Sequence, residues 1–328
     1  MKDVLFKKAD PTIWTGRQTD PKLGPLYYHQ AIQLNELKEI KKPEGGKSFG
    51  LLCYECEEGV KRNFGRIGAV QGPGAIKKEL AKLAFHVQRI GLYDIGSTLC
   101  IGDQLEDCQH FTAGLVAKLI QMQICPIVLG GGHDLAFAHY KGVQLALGNK
   151  RKVGIINFDA HFDLRKPNTQ GNSGTPFFQC AELCQSNNID FNYLAVGIQK
   201  ESNTRDLFEI AKELNVQYIL SQNCNDPNLV SVKDKIRVFL DNLDYVYVTV
   251  DMDGFSSGYA PGVSAPSPLG FSPHIFFDLF KTIIDSNKIV SMDIAEMNPK
   301  YDVNNCTAKL AARIIDFYIR NSSLLSIN

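Results

Sequence analysis

Short apolar runs alternate along this chain with longer stretches that carry apolar residues on one helical face. The first kind predicts strands over Gly50–Tyr54, Leu92–Ile95, Cys125–Leu129, Val153–Phe158, Tyr193–Val196, Tyr218–Leu220, Tyr245–Val250 and Ile289–Ile294. The second predicts helices over Ala75–Arg89, Glu106–Gln121, Leu135–Leu147, Thr204–Leu214, Val230–Leu243, Pro273–Ser286 and Thr307–Ile319. Strand and helix in alternation make a parallel sheet flanked by helices. Such a sheet takes its ligands beyond the carboxyl ends of its strands. Residues 1–46 break the pattern: Pro11, Pro21, Pro25 and Pro43, closed by Gly45 and Gly46, predict a loop-rich lead-in with short helices, one of them over Tyr28–Lys41. Residues 47–328 then form one α/β domain.

Three of the predicted strands end in residues that can bind a cation. Val153–Phe158 runs into Asp159-Ala160-His161-Phe162-Asp163, and alternate side chains of an extended segment share a face. Cys125–Leu129 runs into Gly130-Gly131-Gly132-His133-Asp134, and Tyr245–Val250 into Asp251-Met252-Asp253. His133, Asp159, His161, Asp163, Asp251 and Asp253 offer two imidazoles and four carboxylates. One catalytic zinc takes about three protein ligands, so this set suits two divalent ions sharing carboxylates. Oxygen and imidazole ligands without thiolate favour manganese over zinc. The glycine run lacks the spacing and the Lys-Ser/Thr ending of a phosphate loop; it lets the backbone turn beside a crowded site. Asp134 is expected to cap the helix beginning at Leu135. His29, His86, His110, His139 and His274 have no carboxylate pattern around them and are expected to be structural or exposed, with His86 and His139 in helical runs.

These segments resemble the metal-binding signatures of the ureohydrolases, the arginase and agmatinase family. Ser291-Met292-Asp293-Ile294-Ala295-Glu296-Met297-Asn298-Pro299 is similar to the family's last strand and its Glu-x-Asn-Pro ending. The resemblance spans residues 63–302. It implies a three-layer α/β/α fold with a mostly parallel eight-stranded sheet, two Mn2+ per chain, hydrolysis of an amidine or guanidine C–N bond, and a homo-oligomer. Within the family the chain most resembles the formimidoylglutamases. Ser173 stands where arginases and agmatinases usually carry histidine, Arg165 closely follows the metal motif, and Ala260-Pro261-Gly262-Val263-Ser264-Ala265-Pro266 is similar to the formimidoylglutamase form of a loop that reads Gly-Thr-Pro in arginase. That likeness implies hydrolysis of N-formimidoyl-L-glutamate to L-glutamate and formamide. Asp163 would move the proton and Glu296 would pair with the cationic formimidoyl group, while Asp293 is structural. Arg165, Ser173, Arg66 and Asn63 are the candidate substrate residues; Arg165 offers a planar fork to a carboxylate. The alternatives are a urea-releasing relative and a relative that binds metal or metabolite without catalysis.

Composition narrows the setting. Lys+Arg and Asp+Glu are both 35, a formal charge of zero, which disfavours nucleic acid and membrane surfaces as partners. No apolar run approaches the roughly 20 residues of a membrane span. The stretch Met1–Lys8 lacks the apolar core of a secretory signal. The formimidoylglutamase likeness implies a step of histidine degradation and, with it, a cytoplasmic setting. Nine cysteines in a chain of 328 residues read as reduced and mostly structural, although Cys53-Tyr54-Glu55-Cys56 has redox spacing and Cys180 and Cys184 lie four apart.

Overall fold

The computed structural model describes residues 5–40 and 46–322. Lys41, Pro43 and Gly45 of the lead-in, and Met1 to Val4, lie outside the described residues. In chain order the elements are β1 (Phe6–Lys7), α1 (Tyr28–Ala31), β2 (Gln33–Leu34), β3 (Ser48–Glu55), α2 (Glu58–Arg62), α3 (Gly72–Ala81), β4 (Gly91–Leu99), α4 (Leu105–Gln121), β5 (Cys125–Leu129), α5 (Leu135–Leu147), β6 (Val153–Phe158), α6 (Pro176–Ser186), β7 (Asn192–Ile198), α7 (Arg205–Glu213), β8 (Gln217–Leu220), α8 (Leu229–Asp241), β9 (Tyr245–Asp251), α9 (Pro273–Asp285), β10 (Ile289–Ala295) and α10 (Cys306–Asn321).

All strands join one sheet, ordered β1-β4-β3-β5-β10-β9-β6-β7-β8, with β2 also on β4. Among the strands of the described residues only β1 runs antiparallel. The eight expected strands are all present; two-residue β1 and β2, from the lead-in, make the sheet ten-stranded. The pleat divides the core in two. Phe49, Leu51, Ile127, Ile156 and Phe158 face one side with α3, α8, α9 and α10, while Leu52, Tyr54, Val128 and Ile155 face the other with α4, α5, α6 and α7. Both faces are thus covered, which is why the inner strands are apolar along their length. The three layers of the expected fold follow directly.

Local departures have local causes. The helix expected over Tyr28–Lys41 is one turn long, because Gln33 and Leu34 leave it to pair with Tyr93 and Asp94 of β4. The helix expected to reach Arg89 stops at Ala81: Ala84 bridges Tyr27, and Phe85 N–H donates to the Leu26 carbonyl at 2.8 Å. His86 is consequently not helical. Helix α6 was not expected from the pattern. It starts on Pro176, which suits a first turn, and buries Phe177, Cys180, Ala181 and Cys184. The lead-in is tied down by Trp14, whose indole N–H donates to Asp94 Oδ2 at 2.7 Å, the oxygen that also accepts from Lys77 Nζ at 2.9 Å. No helix among the described residues is long and apolar enough to cross a membrane.

Candidate metal centre

Strands β5, β10, β9 and β6 lie side by side at the middle of the sheet, and each ends in a residue of the site. Glu296 follows β10, His133 follows β5, Asp251 closes β9, and Asp159 follows β6. The glycine run before His133 continues the sheet rather than reversing it. Gly131 and Gly132 N–H donate to the Tyr54 and Cys56 carbonyls at 2.9 and 3.0 Å, and the Gly131 carbonyl accepts from Glu296 N–H at 2.8 Å. A Cβ on Gly131 would stand 1.7 Å from the Cys56 oxygen. Close approach, not a tight turn, therefore requires glycine there.

The six expected ligands converge into two groups that share Asp159: His133, Asp159, Asp163 and Asp251 in one, and Asp159, His161 and Asp253 in the other. His133 Nδ1 lies 3.2, 3.0 and 3.0 Å from oxygens of Asp159, Asp163 and Asp251. His161 Nδ1 lies 3.4 and 3.2 Å from Asp159 and Asp253. His133 Nδ1 and Asp253 Oδ1 are buried without an aligned hydrogen bond. Orphaned atoms, one in each ligand group, among four clustered carboxylates fit a pair of divalent cations, which would satisfy both.

The electrostatics say the same. Burial opposes a charge on His133, but the Asp159, Asp163 and Asp251 carboxylates override it and raise its pKa well above the usual value. His161 is raised likewise, burial being outweighed by Asp253 and Asp159. Burial, reinforced by neighbouring carboxylates, raises Asp163, Asp251 and Asp253. Asp159 alone is held down: burial raises it, and the two histidines more than reverse that. Burial also pushes Glu296 up to about 8. The backbone is strained at this point as well: Asp163 and Glu296 adopt φ of +49° and +63°, conformations that cost a non-glycine residue and cluster at functional sites.

Supporting contacts fix these ligands, and sequence reasoning missed them. Thr249 Oγ1 lies 2.9 Å from His133 Nε2, directing Nδ1 at the site. Asn157 Nδ2 donates to Asp159 Oδ2 at 3.0 Å, and the backbone N–H groups of His161 and Asp253 donate to Asp159 and Asp251 at 2.7 and 2.8 Å. The available signal was a polar residue two positions before each carboxylate, inside otherwise apolar β6 and β9. Asp134 corrects an expectation. It occupies the N-cap position before α5 but its side chain makes no capping bond; its carboxylate instead accepts from Tyr54 OH at 2.6 Å, in full burial. His139 and Asp293 are structural, paired at 2.7 Å beneath the sheet.

The centre opens into a cavity of about 290 Å3. The buried Asp251, Asp253 and Glu296 close it, with His161 and Asp163 beside them; the exposed Phe64, Arg66 and Arg165 mark its mouth, and Asn63, Ser173 and Ser264 also line it. All four expected substrate residues are therefore brought to one place. Asn63 joins two of them: its Oδ1 accepts from Arg165 Nη1 at 2.8 Å, and its Nδ2 donates to Ser173 Oγ at 3.1 Å. Arg66 is largely engaged elsewhere, donating to the Ser264 and Val263 carbonyls at 2.8 and 2.6 Å and covering the Tyr301 ring at 3.9 Å. Phe64, missed from the sequence, stands 97% exposed at the rim with φ of +58°.

The model of the Arginase family matches residues 48–319. The chain belongs to the arginase family. Its relatives in that family include the formimidoylglutamase of Clostridium tetani, 39% identical over 324 residues and 96% of each chain, and that of Geobacillus sp., 41% identical over 313 residues and 94% of each. Among solved arginase-family structures, the formimidoylglutamase of Bacillus subtilis matches with a TM-score of 0.75 at 22% identity, covering 88% of this chain and 93% of that one. The Trypanosoma cruzi formiminoglutamase solved with Mn2+ matches at 0.74 and 21%, covering 87% and 97%. These structural likenesses show the arginase fold.

Proposed function

We propose that this chain hydrolyses N-formimidoyl-L-glutamate to L-glutamate and formamide at a centre of two Mn2+ ions. The observation that carries the reading is near-full-length similarity, at 39–41% identity, to formimidoylglutamases, in a chain whose six candidate metal ligands converge. When bound, the metal pair would supply a water ionised near neutral pH. His133, Asp159, Asp163 and Asp251 would hold one ion, and Asp159, His161 and Asp253 the other. Asp163, at the cavity's closed end, takes up the proton released from the attacking water and passes it to the departing glutamate nitrogen. Glu296, one oxygen fixed by His133 N–H at 2.9 Å, faces the cationic formimidoyl group; that cation would hold it ionised despite burial. Arg165, oriented by Asn63, meets a glutamate carboxylate at the mouth. Arg66 holds the Val263–Ser264 loop and adds a positive field behind it. Ser173 offers a hydroxyl where arginases usually carry histidine. A cytoplasmic homo-oligomer is the setting that goes with this reading, and light scattering of the purified protein tests the assembly.

Manganese-loaded protein assayed against N-formimidoyl-L-glutamate, L-arginine, agmatine and guanidinobutyrate tests the substrate. Formamide release from the first should exceed urea release from the others. The reverse order would reassign the substrate and leave the metal centre standing.

A further inference from the structure

The Cys53-x-x-Cys56 spacing does not make a pair. Cys53 packs on the sheet face that carries α3 and α10, and Cys56 on the opposite face. Cys56 instead meets two cysteines remote in sequence. Strands β3 and β4 pair in parallel with Glu55 opposite Leu99, and Cys100 N–H donates to the Glu55 carbonyl at 3.3 Å. Cys56 and Cys100 are thus the next residues of neighbouring strands. Adjacent strands lie about 4.8 Å apart, inside the roughly 4.4–6.8 Å between Cα atoms that a disulfide spans. Cys108, in the first turn of α4, joins them in the same apolar layer, and both its thiol and that of Cys100 interact with Cys56. Cys56 and Cys108 are buried, whereas Cys100 is partly exposed. The three thiols titrate as a unit: the two neighbours, acting against burial, lower the Cys56 thiol, and Cys56 with burial raises those of Cys100 and Cys108, so a proton lost from the cluster leaves its charge on Cys56.

Cys56 is also bonded to the metal loop. Its carbonyl holds Gly132 N–H, one residue before His133, and leaves no room beside Gly131. Beyond it, α2 holds Ser173 N–H through the Gly59 carbonyl at 3.1 Å.

We propose that Cys56 and Cys100 form a hydroperoxide-oxidisable pair whose disulfide loosens the His133 end of the metal centre. Hydroperoxide enters along Cys100. The Cys56 thiolate attacks the O–O bond, which breaks; sulfur is oxidised to sulfenic acid, and hydroxide leaves to take a proton from solvent. The Cys100 sulfur then attacks the Cys56 sulfur, the S–O bond breaks, and the Cys100 proton leaves with the hydroxyl as water. Peroxide is the two-electron oxidant throughout. Drawing Cys56 towards Cys100 shifts the carbonyl that positions Gly132.

The test treats manganese-loaded protein with hydrogen peroxide. Three readings follow: free thiols, peptides mapped by mass spectrometry without reduction, and manganese retained after gel filtration. The expected result is loss of two of the nine thiols, a peptide joining Cys56 to Cys100, and roughly tenfold weaker manganese binding, the scale of a disturbed supporting contact, all reversed by dithiothreitol. Cys100→Ser, loaded and folded as the parent by circular dichroism, should keep its manganese under the same peroxide; losing it as the parent does would overturn the proposal. A cross-link elsewhere, sulfinic acid without a cross-link, or the Cys56–Cys100 link with full metal retention would each do the same.

Discussion

The metal centre at the closed end of the cavity is built from the tips of four adjacent strands; the mouth takes its side chains from the segments after α2, β6 and β9. At the closed end His133, Asp159, Asp251 and Asp253 are buried; Thr249 holds His133, Asn157 holds Asp159 and the Asp253 N–H holds Asp251, while the Asp253 carboxylate pairs with His161 inside the site. At the mouth Arg165 is exposed and oriented by one hydrogen bond to Asn63. Strands fixed from both faces can hold strained, like-charged groups together. Loops on the surface cannot, but they can change without disturbing the sheet. The two ends therefore suit different tasks: reaction chemistry at the tips, substrate choice at the mouth.

Breaking the closed end should have the largest effect. Asp159→Ala or Asp251→Ala removes a carboxylate that compensates the cations, and Asp159 belongs to both ligand groups. Each should lose bound manganese and activity together, well beyond the ~10–100-fold cost of removing a supporting partner; metal analysis alongside turnover checks this, and full activity with one ion per chain would contradict the paired centre.

Acidity acts on the same end. His133 and His161 have raised pKa values in the metal-free protein, so both hold protons through neutral pH, and manganese must displace them to bind. Apparent manganese affinity should therefore rise with pH and fall steeply on acidification. Titrating manganese at several pH values measures the slope, and a flat response would remove the histidines from the ligand set.

Thr249→Val leaves every ligand in place but frees His133 Nε2. It should weaken manganese binding about 10–100-fold while leaving KM for the saturated enzyme unchanged, which separates metal from substrate binding.

The mouth should behave in the opposite way. Arg165→Ala should raise KM about tenfold or more, the scale of a hydrogen bond to a charged group, with manganese content intact. Asn63→Ala, which only releases Arg165 and Ser173, should raise KM by a few-fold, below that scale. Steady-state kinetics with metal analysis decides both, and a variant of either kind that loses manganese would dissolve the distinction between the two ends.

The strands and the ligands were legible because their signals are local. An apolar run followed by an i, i+2 pair of acids fixes both the element and the face its tip presents, as at Val153–Asp163. What escaped depended on partners distant in sequence. Asp134 reads as a helix cap, and only Tyr54, eighty residues earlier, makes it something else. Helix α3 has the pattern to reach Arg89, but pairing with Tyr27 ends it sooner. The Arg66 guanidinium was aimed at substrate on motif position alone, whereas the 263–264 carbonyls it holds come from a loop nearly two hundred residues later. The glycine run suggests a turn beside a crowded site, whereas it runs on alongside β3 and the crowding at Gly131 comes from the Cys56 backbone just past that strand.

Trp14 is the chain's single tryptophan, and its indole is anchored to Asp94 inside the sheet edge. Intrinsic tryptophan emission therefore comes from one known place, the seam between the lead-in and β4. Detachment of that seam would carry the indole from a nearly buried site into water and shift its emission to the red, while the distant metal tips contributed nothing to the signal. A denaturation followed by tryptophan emission and by manganese release would then time two separate events, and the interval between them would reveal whether the chain's first forty residues come away before the catalytic end lets go.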